Sequence, residues 1–322
     1  MIKTTDIYDL YWYFAAERQR IFYKRLSGQY GFLTDDSILK TYKFTNAYRA
    51  SDRVSQFLIR HVIYSGDQSP QEVFFRTILF RFFNRISTWE NLTAALNNEI
   101  SYANYDFRLY DEILTSLING KNKLYSAAYI MPSGIREFGF LRKHQNNLKL
   151  LEFMMQDNVP ERIAGARSLK TVFNILKSFP TLGDFLAYQY TIDLAYSDLD
   201  CGLESDFIVP GPGALRGIKK CFSDIGNLSP SDVIHYVAER QQHEFSTRNI
   251  DFPDLYGRPL QLIDCQNLFC EIDKYARVYC PELAVGGRSR IKQKYVANGS
   301  NIELFYPPKW NINYKIEPLT IL

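Results

Sequence analysis

The sequence predicts a mainly helical, all-α fold. Three features of the chain indicate it: apolar residues recur at helical spacing in most segments, capping residues precede those segments, and glycine or proline turns separate them. No internal repeat or low-complexity segment interrupts this pattern. At 322 residues the chain can bury a large core, and we expect a single unit over residues 1–322, built as one large domain or as two closely packed lobes.

The expected helices follow the chain in order. The first has an aromatic face that includes Tyr8, Tyr11 and Trp12, and the fourth is strongly apolar up to Phe83. Serine and aspartate supply start signals, most clearly in Ser229-Pro230-Ser231-Asp232. The predicted helices span Ile7–Leu26, Ile38–Lys43, about Arg53–Val62, Glu72–Phe83, Lys143–Met155, Ile163–Leu176, Val233–Glu244 and Leu260–Tyr279, with others beginning at Thr88, Asp184 and Ala214.

Net charge, apolar runs and the cysteine and histidine content exclude several classes of function. The net charge of +3 excludes a histone-like polycation, so any contact with nucleic acid needs the local basic stretches Arg18–Arg25, Arg216–Lys220 or Arg288–Lys294. No apolar run approaches the ~20 residues of a membrane span, and the N-terminus lacks a secretory signal, so we expect a cytoplasmic protein. Five cysteines and four scattered histidines match no disulfide frame or metal site, and no cofactor is predicted.

A helical hairpin organises the middle of the chain. Pro180 blocks continuation of the preceding helix, and Gly183 permits a bend before Asp184 opens the next one. The free amides and positive dipole end of that second helix would face solvent, which makes an anion site, here for a DNA phosphate. An ordinary solvated hairpin is the simpler alternative. The residues expected to contact DNA at the bend are Thr181, Leu182 and Gly183.

Acidic residues crowd the loop after the second helix of the hairpin. Asp198, Asp200, Glu204 and Asp206 precede the turn Pro210-Gly211-Pro212-Gly213. Two glycines in the turn would let the backbone approach a ligand, and the helix from Ala214 carries cations. The acids could equally solvate the loop or cap that helix. The residues expected to contact DNA here are Gly211, Gly213, Arg216, Lys219 and Lys220.

Four further stretches carry a family resemblance: Tyr42–Arg53, Leu79–Glu90, Asp206–Ala214 and Asp264–Tyr275. With the hairpin, they resemble the helix-hairpin-helix DNA glycosylases. More narrowly, they resemble the α-glutamyl/putrescinyl-thymine pyrophosphorylases, a family also found as the helical domain of phage hydroxymethyluracil-DNA kinases. The likeness covers most of residues 10–280. Some of these glycosylases carry a four-cysteine iron–sulfur cluster, but only three cysteines lie near this C-terminus, at other spacings, so structural thiols are expected.

The resemblance implies a helix-hairpin-helix glycosylase-like fold. Two packed helical lobes, over 1–156 and 157–285, would hold a DNA-binding cleft, and 286–322 would form an irregular tail. One branch of the family resembles amino acid:DNA transferases that act on activated hydroxymethyluracil. Another, bacterial branch excises glucosylated hydroxymethylcytosine from invading phage DNA. No Walker A motif is present, so no fused kinase is expected, and a hairpin without a lysine after Gly183 indicates a monofunctional glycosylase.

Site residues follow from this chemistry. Base excision needs a carboxylate beside the sugar of the extruded nucleotide, and Asp206 is the first candidate, before Glu204 and Asp198. A base pocket needs aromatic rings for stacking and polar groups for the base edge. The residues expected to bind the base are Phe44, Asn46, Tyr48, Arg49, Asp52, Arg53, Asn84, Arg85, Gln266 and Asn267. Arg49 with Asp52 could instead form an ion pair, and Asn84 could cap a helix.

The expected partner is double-stranded phage DNA with modified bases, bound by a monomer. A DNA glycosylase is the first hypothesis for the activity. A transferase that joins an amino acid or polyamine to an activated thymine methyl group is the second. A non-enzymatic protein that recognises modified DNA is the third.

Overall fold

The structure is a computed structural model. It describes residues 2–29, 31, 33–97, 100–127, 132, 138–283, 291, 293–296 and 303–316. Thirteen α-helices dominate these described residues, and their only strand pair is short, so the mainly helical fold is confirmed. None of the described helices is both long enough and apolar enough to cross a membrane.

The chain forms two compact units, each built from separated stretches. Unit 1 comprises Met1–Arg53, Ile208–Leu304 and Trp310–Leu322, and unit 2 comprises Val54–Phe207 and Phe305–Lys309. The lobe boundary expected between residues 156 and 157 lies inside unit 2. Sequence patterns could not indicate this division, because the N-terminal stretch finds its packing partners beyond residue 207.

Unit 1 is organised around its last helix. Its elements are β1 (Lys3–Thr4), α1 (Asp6–Leu26), α2 (Ser37–Thr41), α11 (Pro212–Cys221), β2 (Phe222–Asp224), α12 (Pro230–Thr247) and α13 (Leu262–Tyr279). α13 packs against α1, α11 and α12. The aromatic face predicted for the first helix is buried there: the ring of Tyr11 lies 4.6 Å from Phe269, and that of Trp12 lies 4.8 Å from Phe245.

The strands β1 and β2 pair antiparallel, with Lys3 opposite Asp224. The sequence did not predict them, because strands of two and three residues are too short to show an alternating pattern.

Unit 2 is a helical assembly around one almost fully buried helix, α4. Its elements are α3 (Arg53–Leu58), α4 (Pro70–Phe83), α5 (Ile86–Ala95), α6 (Phe107–Asn119), α7 (Lys143–Gln156), α8 (Val159–Ala164), α9 (Leu169–Lys177) and α10 (Asp184–Ala195). A π-helical turn, Ile59–Ile63, continues α3. Helices α7, α8 and α10 pack around α4, which explains why buried apolar residues occur on all its faces.

One helix that the sequence predicted is divided into two helices in the structure. The apolar pattern predicted a continuous helix over Ile163–Leu176, but α8 ends at Ala164 and α9 begins at Leu169. Between them Arg167 adopts φ +53°, which ends the helical path, and Ser168 begins the next helix. The prediction was wrong because Ile163 and Leu169 both face the core, although they lie on different helices.

Candidate functional site

The bend between α9 and α10 faces solvent. α9 ends at Lys177, before Pro180, and Gly183 with extended backbone begins α10. Gly183 is exposed and Thr181 is partly buried, whereas Leu182 is buried and anchors the bend. Thr181 adopts φ +67°, a left-handed conformation that is unusual for a β-branched residue. Of the three residues expected to contact DNA, Leu182 is therefore part of the core of unit 2.

An acidic residue already stands at the N-terminal end of α10. Asp184 lies in the first turn, where a carboxylate interacts favourably with the helix dipole. Its Oδ1 lies 2.7 Å from Lys177 Nζ, and both side chains are at least half exposed. A phosphate at this bend would meet the Asp184 carboxylate beside the Gly183 amide, and Lys177 would supply the compensating positive charge.

The acidic loop that follows α10 is fixed on the hairpin helices. The centroid of the Phe207 ring lies 5.2 Å from that of Phe173 in α9 and 6.0 Å from that of Tyr188 in α10. The Tyr188 hydroxyl also donates to the Phe207 carbonyl at 3.3 Å. Earlier in the loop Gly202 has φ +88°, and a Cβ there would lie 2.8 Å from Ser168 Cα. The loop therefore has a defined path, which its sequence did not indicate.

The three candidate carboxylates on this loop differ in their surroundings. Asp206 is exposed and accepts a hydrogen bond of 3.0 Å from the Ser205 hydroxyl. Asp198 is also exposed, but it accepts one of 2.9 Å from Tyr64, and burial together with this hydrogen bond raises the pKa of Tyr64. Glu204 is partly buried. Asp206 directly precedes Phe207, whose ring packs on both hairpin helices.

In unit 1, Gly213 of the expected ligand-binding turn and Gly217 of α11 have a packing role. A Cβ at Gly213 would lie 2.8 Å from Cys270 Sγ, and one at Gly217 would lie 2.0 Å from the Phe269 carbonyl oxygen. These glycines let α11 and α13 approach closely. The amide of Gly211 donates to Gln266 Oε1 at 3.1 Å. The prediction that Gly211 and Gly213 approach DNA is therefore not supported, because both face α13.

Gln266 was expected to contact a base or sugar, and this expectation is also corrected. Its side chain is 1% exposed and holds the start of α11 through the Gly211 amide. Its neighbour Asn267 is partly buried on the same helix.

Two of the three cations expected to bind DNA are engaged by one buried carboxylate. Arg216 Nε lies 3.1 Å and Arg277 Nη2 2.9 Å from Asp273 Oδ2, and Lys220 Nζ lies 3.0 Å from Oδ1. Burial raises the pKa of Asp273, but the Lys220 hydrogen bond and the Arg277 charge outweigh it and lower that pKa. The Lys220 side chain is only 8% exposed, so its role is to join α11 to α13. Lys219 is exposed and remains available to a ligand.

The aromatic residues of the predicted base pocket belong to the core of unit 1. The ring of Phe44 packs 5.3 Å from Phe14, with Lys274 Nζ 5.4 Å from its centroid. Tyr48 is 1% exposed, and its hydroxyl donates to the Arg258 carbonyl at 2.6 Å. Their predicted role in stacking a base is therefore wrong, because neither ring is open to a ligand.

Asn46 and Arg49 hold the same segment in place. The side chain of Asn46 accepts from Arg18 Nη2 at 2.9 Å and donates to the Ser51 carbonyl at 2.8 Å. The amide of Arg49 donates to Asp264 Oδ1 at 2.7 Å, and the Arg49 side chain is buried. Both residues were expected to bind the base, but these contacts give them a structural role. Arg53 is exposed at the start of α3.

Asp52 is the exception in this segment. It is partly buried, and its Oδ1 accepts a hydrogen bond of 2.9 Å from the Asn46 amide. Burial raises the pKa of Asp52 to about 7; the nearby Glu271 adds to the shift, and the Asn46 amide and Arg18 oppose it. A carboxyl that titrates near neutral pH can give or take a proton at working pH.

Asn84 and Arg85 in unit 2 end a helix and begin the next. Asn84 is buried, adopts φ +48° as the C-cap of α4 and accepts from Arg81 Nη1 at 2.6 Å, so the capping alternative holds. Arg85 is partly buried and donates to Ser87 Oγ at 2.9 Å. A buried ion pair that the sequence did not predict lies beside them, between Arg81 Nε and Asp193 Oδ2 at 2.7 Å. In the sequence, this ion pair is indicated only by the position of Arg81 between Phe80 and Phe82.

Of the basic stretches, Arg288–Lys294 lies largely outside the described residues. In Arg18–Arg25, Arg18 donates to the Thr45 carbonyl at 2.9 Å and Arg20 to the Asp251 carbonyl at 2.6 Å, so these two arginines join α1 to neighbouring loops. Arg18 and Arg20 therefore have a structural role. Among the described residues, no group of three or more histidine, cysteine, aspartate or glutamate side chains could hold a metal ion.

Comparison with known proteins gives a family match over most of the chain. Residues 5–285 match the family model described as the helical domain of 5-hmdU DNA kinase. A curated relative named 5-hmdU DNA kinase, from Bacillus phage SP10, is 24% identical over 294 residues, which cover 86% of this chain and 46% of the relative. The chain thus spans about half the length of that relative. No solved structure gives a significant match.

Proposed function

Because the chain belongs to the family of the 5-hmdU DNA kinase helical domain, we propose that it acts on a modified pyrimidine base in DNA. The proposed reaction is hydrolysis of the N-glycosidic bond of a bulky modified pyrimidine, such as glucosylated hydroxymethylcytosine. The products are the free base and an abasic site. In a bacterial cell the substrate would be the DNA of an invading phage, and the reaction would serve anti-phage defence.

The observation that carries this proposal is the exposed carboxylate of Asp206 on a loop that Phe207 fixes to the α9–α10 hairpin. In the reaction the bond from C1′ to the base nitrogen breaks, and its electron pair leaves with the base. Positive charge develops on the sugar, where a carboxylate stabilises it. Water then adds to C1′ and loses a proton to the carboxylate, and the departed base anion takes a proton from solvent. The solvent-facing carboxylate of Asp206 can do both.

The hairpin itself supports contact with DNA. Its bend faces solvent at Gly183, and Lys177 stands beside it. Backbone amides at a helix start, together with a lysine, suit the phosphates on either side of an extruded nucleotide. Lys219 of unit 1 is a further exposed cation for the DNA backbone.

The test is release of bases from DNA of known modification. Duplexes containing glucosylated hydroxymethylcytosine, hydroxymethyluracil or thymine are incubated with the protein, free bases are identified by mass spectrometry, and abasic sites are counted after alkaline cleavage. We expect release from a modified duplex and none from the thymine duplex. Asp206→Asn should lower the rate by roughly 10²–10⁴-fold, the usual contribution of an acid–base group.

Asp200→Asn is the matched control. Asp200 is an exposed carboxylate of the same loop whose backbone carbonyl, not its side chain, accepts from the Arg167 amide at 3.0 Å. We expect this variant to keep the wild-type rate. Equal losses in the two variants would assign the effect to the charge of the loop, and no release from any modified duplex would reject the glycosylase.

A transferase is the second candidate, and the family description favours it. A kinase acting on 5-hmdU adds phosphate to the hydroxymethyl oxygen of the base, and a phosphorylated oxygen is a good leaving group. A second phosphorylation gives the pyrophosphate ester, and a helical domain of the same family could bring an amine to its methylene carbon, so that the C–N bond forms as the C–O bond breaks and pyrophosphate leaves. Pyrophosphate release from duplexes carrying pyrophosphorylated hydroxymethyluracil, dependent on an added amino acid or polyamine and without abasic sites, would support this reaction instead.

A further inference from the structure

Helix α9 of unit 2 presents a row of polar and positively charged side chains to solvent. The helix contains two lysines and no acidic residue. Lys170, Asn174 and Lys177 are exposed and recur at helical spacing, so they lie on one face of α9. Arg167, two residues before the helix, is exposed as well. These four residues form the α9 stripe, which the sequence did not indicate because its cations are separated by three and seven positions.

Two members of the stripe have no anionic partner. The side chains of Arg167 and Lys170 form no ion pair and no hydrogen bond with any described residue. Lys177 pairs with Asp184 at 2.7 Å, but both side chains are at least half exposed. An exposed ion pair of this kind contributes little energy, so a phosphate can replace Asp184 beside Lys177. The stripe therefore keeps uncompensated positive charge at the surface of unit 2.

One part of the stripe lies beside the acidic loop. The backbone amide of Arg167 donates to the Asp200 carbonyl at 3.0 Å, so the loop passes next to the start of α9. Further along the helix, the ring of Phe173 packs 5.2 Å from that of Phe207, the residue after Asp206. The helix that carries the stripe therefore also carries the loop of the candidate carboxylate.

The other end of the stripe meets the hairpin bend. Lys177 is the last residue of α9, and the bend that follows is exposed at Gly183. From Lys170 to Lys177 the helix rises about 10 Å, at about 1.5 Å per residue. The charges of one DNA strand recur about every 3.4 Å along the duplex axis, so this distance matches about three consecutive phosphates.

We propose that the α9 stripe binds consecutive phosphates of one DNA strand and leads that strand from the hairpin bend to the loop of Asp206. A row of cations without anionic partners complements a polyanion of regular charge spacing. The carboxylates of the acidic loop repel phosphates, and the stripe supplies positive charge that offsets this repulsion. Such contacts position a strand without reading its sequence. This inference rests on the proposed function, since it takes DNA as the ligand.

The experiment measures the salt dependence of binding. The association constant of the full chain for a duplex containing hydroxymethyluracil is measured by fluorescence anisotropy between about 50 and 200 mM NaCl. Arg167→Ala and Lys170→Ala should each reduce the slope of its logarithm against log salt by about 0.9, and weaken binding about threefold, because each removes one phosphate contact. The double variant should reduce the slope by about 1.8 and weaken binding about tenfold. The unfolding temperature should stay unchanged, because both side chains are exposed.

Arg108→Ala is the matched control. Arg108 is also exposed and forms no ion pair with a described residue, but it lies on α6, which packs against α5 and α7. This variant removes the same charge and should keep the wild-type slope. An equal loss in Arg108→Ala would assign the effect to the net charge of the protein and overturn the inference.

Single methylphosphonates locate the strand, because each keeps the sugar and base and removes one backbone charge. Placed one at a time around the modified base, they should weaken wild-type binding at about three consecutive positions of one strand. In Lys170→Ala, one of these positions should lose its effect. Scattered positions, or an unchanged pattern in Lys170→Ala, would contradict a strand that follows the stripe.

Base release tests the proposed function separately. If the protein binds the duplex and the Arg167→Ala and Lys170→Ala slopes equal that of the wild type, the stripe is rejected and the glycosylase stands. If the slopes change as expected but no modified base is released, the glycosylase is rejected and the stripe stands. Binding of polyglutamate but not of the duplex, dependent on Lys170, would assign the stripe to an acidic protein and overturn the inference. A protein that binds no duplex would overturn both proposals.

Discussion

Phe207 packs against Phe173 with ring centroids 5.2 Å apart, so the residue that follows Asp206 is fixed on the first helix of the hairpin. We predict that Phe207→Ala lowers the rate of base release at least tenfold with little change in KM, because a misplaced carboxylate loses its alignment with the sugar. Stability should fall by about 2 kcal/mol, since Phe207 is only partly buried. Phe207→Leu keeps most of the contact and should retain most of the rate. Full activity in Phe207→Ala would remove the proposed positioning role.

The second prediction concerns the contact between α11 and α13. Gly217→Ala should destabilise the protein by about 3 kcal/mol or more, because its Cβ would lie 2.0 Å from the Phe269 carbonyl oxygen and the helices would have to separate. Gly183→Ala is the matched control: no atom lies within 4 Å of its added Cβ, so the change should stay within about 1 kcal/mol. Urea denaturation measures both. Similar losses in the two variants would contradict the packing argument.

The third prediction separates two neighbouring lysines. Lys219→Ala should weaken duplex binding about two- to fourfold and reduce its salt dependence, because an exposed cation that meets a phosphate releases a counterion. Lys220→Ala should instead destabilise the fold by about 1–3 kcal/mol, because the buried Asp273 loses one of its three cations. Thermal unfolding and anisotropy titrations over a salt series provide both readouts. A loss of stability in Lys219→Ala would contradict the assignment.

The fourth prediction is the pH dependence of stability caused by Asp52. Its pKa is about 7 in the folded protein and 3.8 in the unfolded chain, so the folded state binds the proton more tightly. The contribution of Asp52 to the free energy of unfolding is fully present below about pH 4 and is lost as the pH rises to about 7. Asp52→Asn should therefore gain stability relative to wild type over this interval, on the order of 1–2 kcal/mol after allowing for solvent screening. A difference that is constant with pH would show that Asp52 does not titrate there.

Local patterns predicted the helices well. Asp36 caps α2 through Oδ1, and Ser229 caps α12 through its hydroxyl, both at positions that the sequence marked. The bend at Gly183 was also predicted, since proline and glycine act on their own backbone. Such signals span a few residues and do not depend on what packs around them.

Long-range packing decided the role of each candidate side chain. Tyr48 and Gln266 have the polar or aromatic groups that a base pocket requires, but Arg258 and Gly211 already satisfy them. Gly213 has the small side chain that a ligand-binding turn requires, but Cys270 fills the space. A residue type shows which contacts a side chain can make, and only the fold shows which contacts it has already made.

The sequence by itself determined a mainly helical chain, the hairpin bend and the family, because each depends on residue types at short or fixed spacing. The tertiary structure decided which polar atoms remain for a ligand. The amide of Thr45 meets Glu271 across 226 residues, and that of Arg49 meets Asp264 across 215. Contacts between residues so far apart depend on how helices pack, and packing is set by the shapes of many side chains at once.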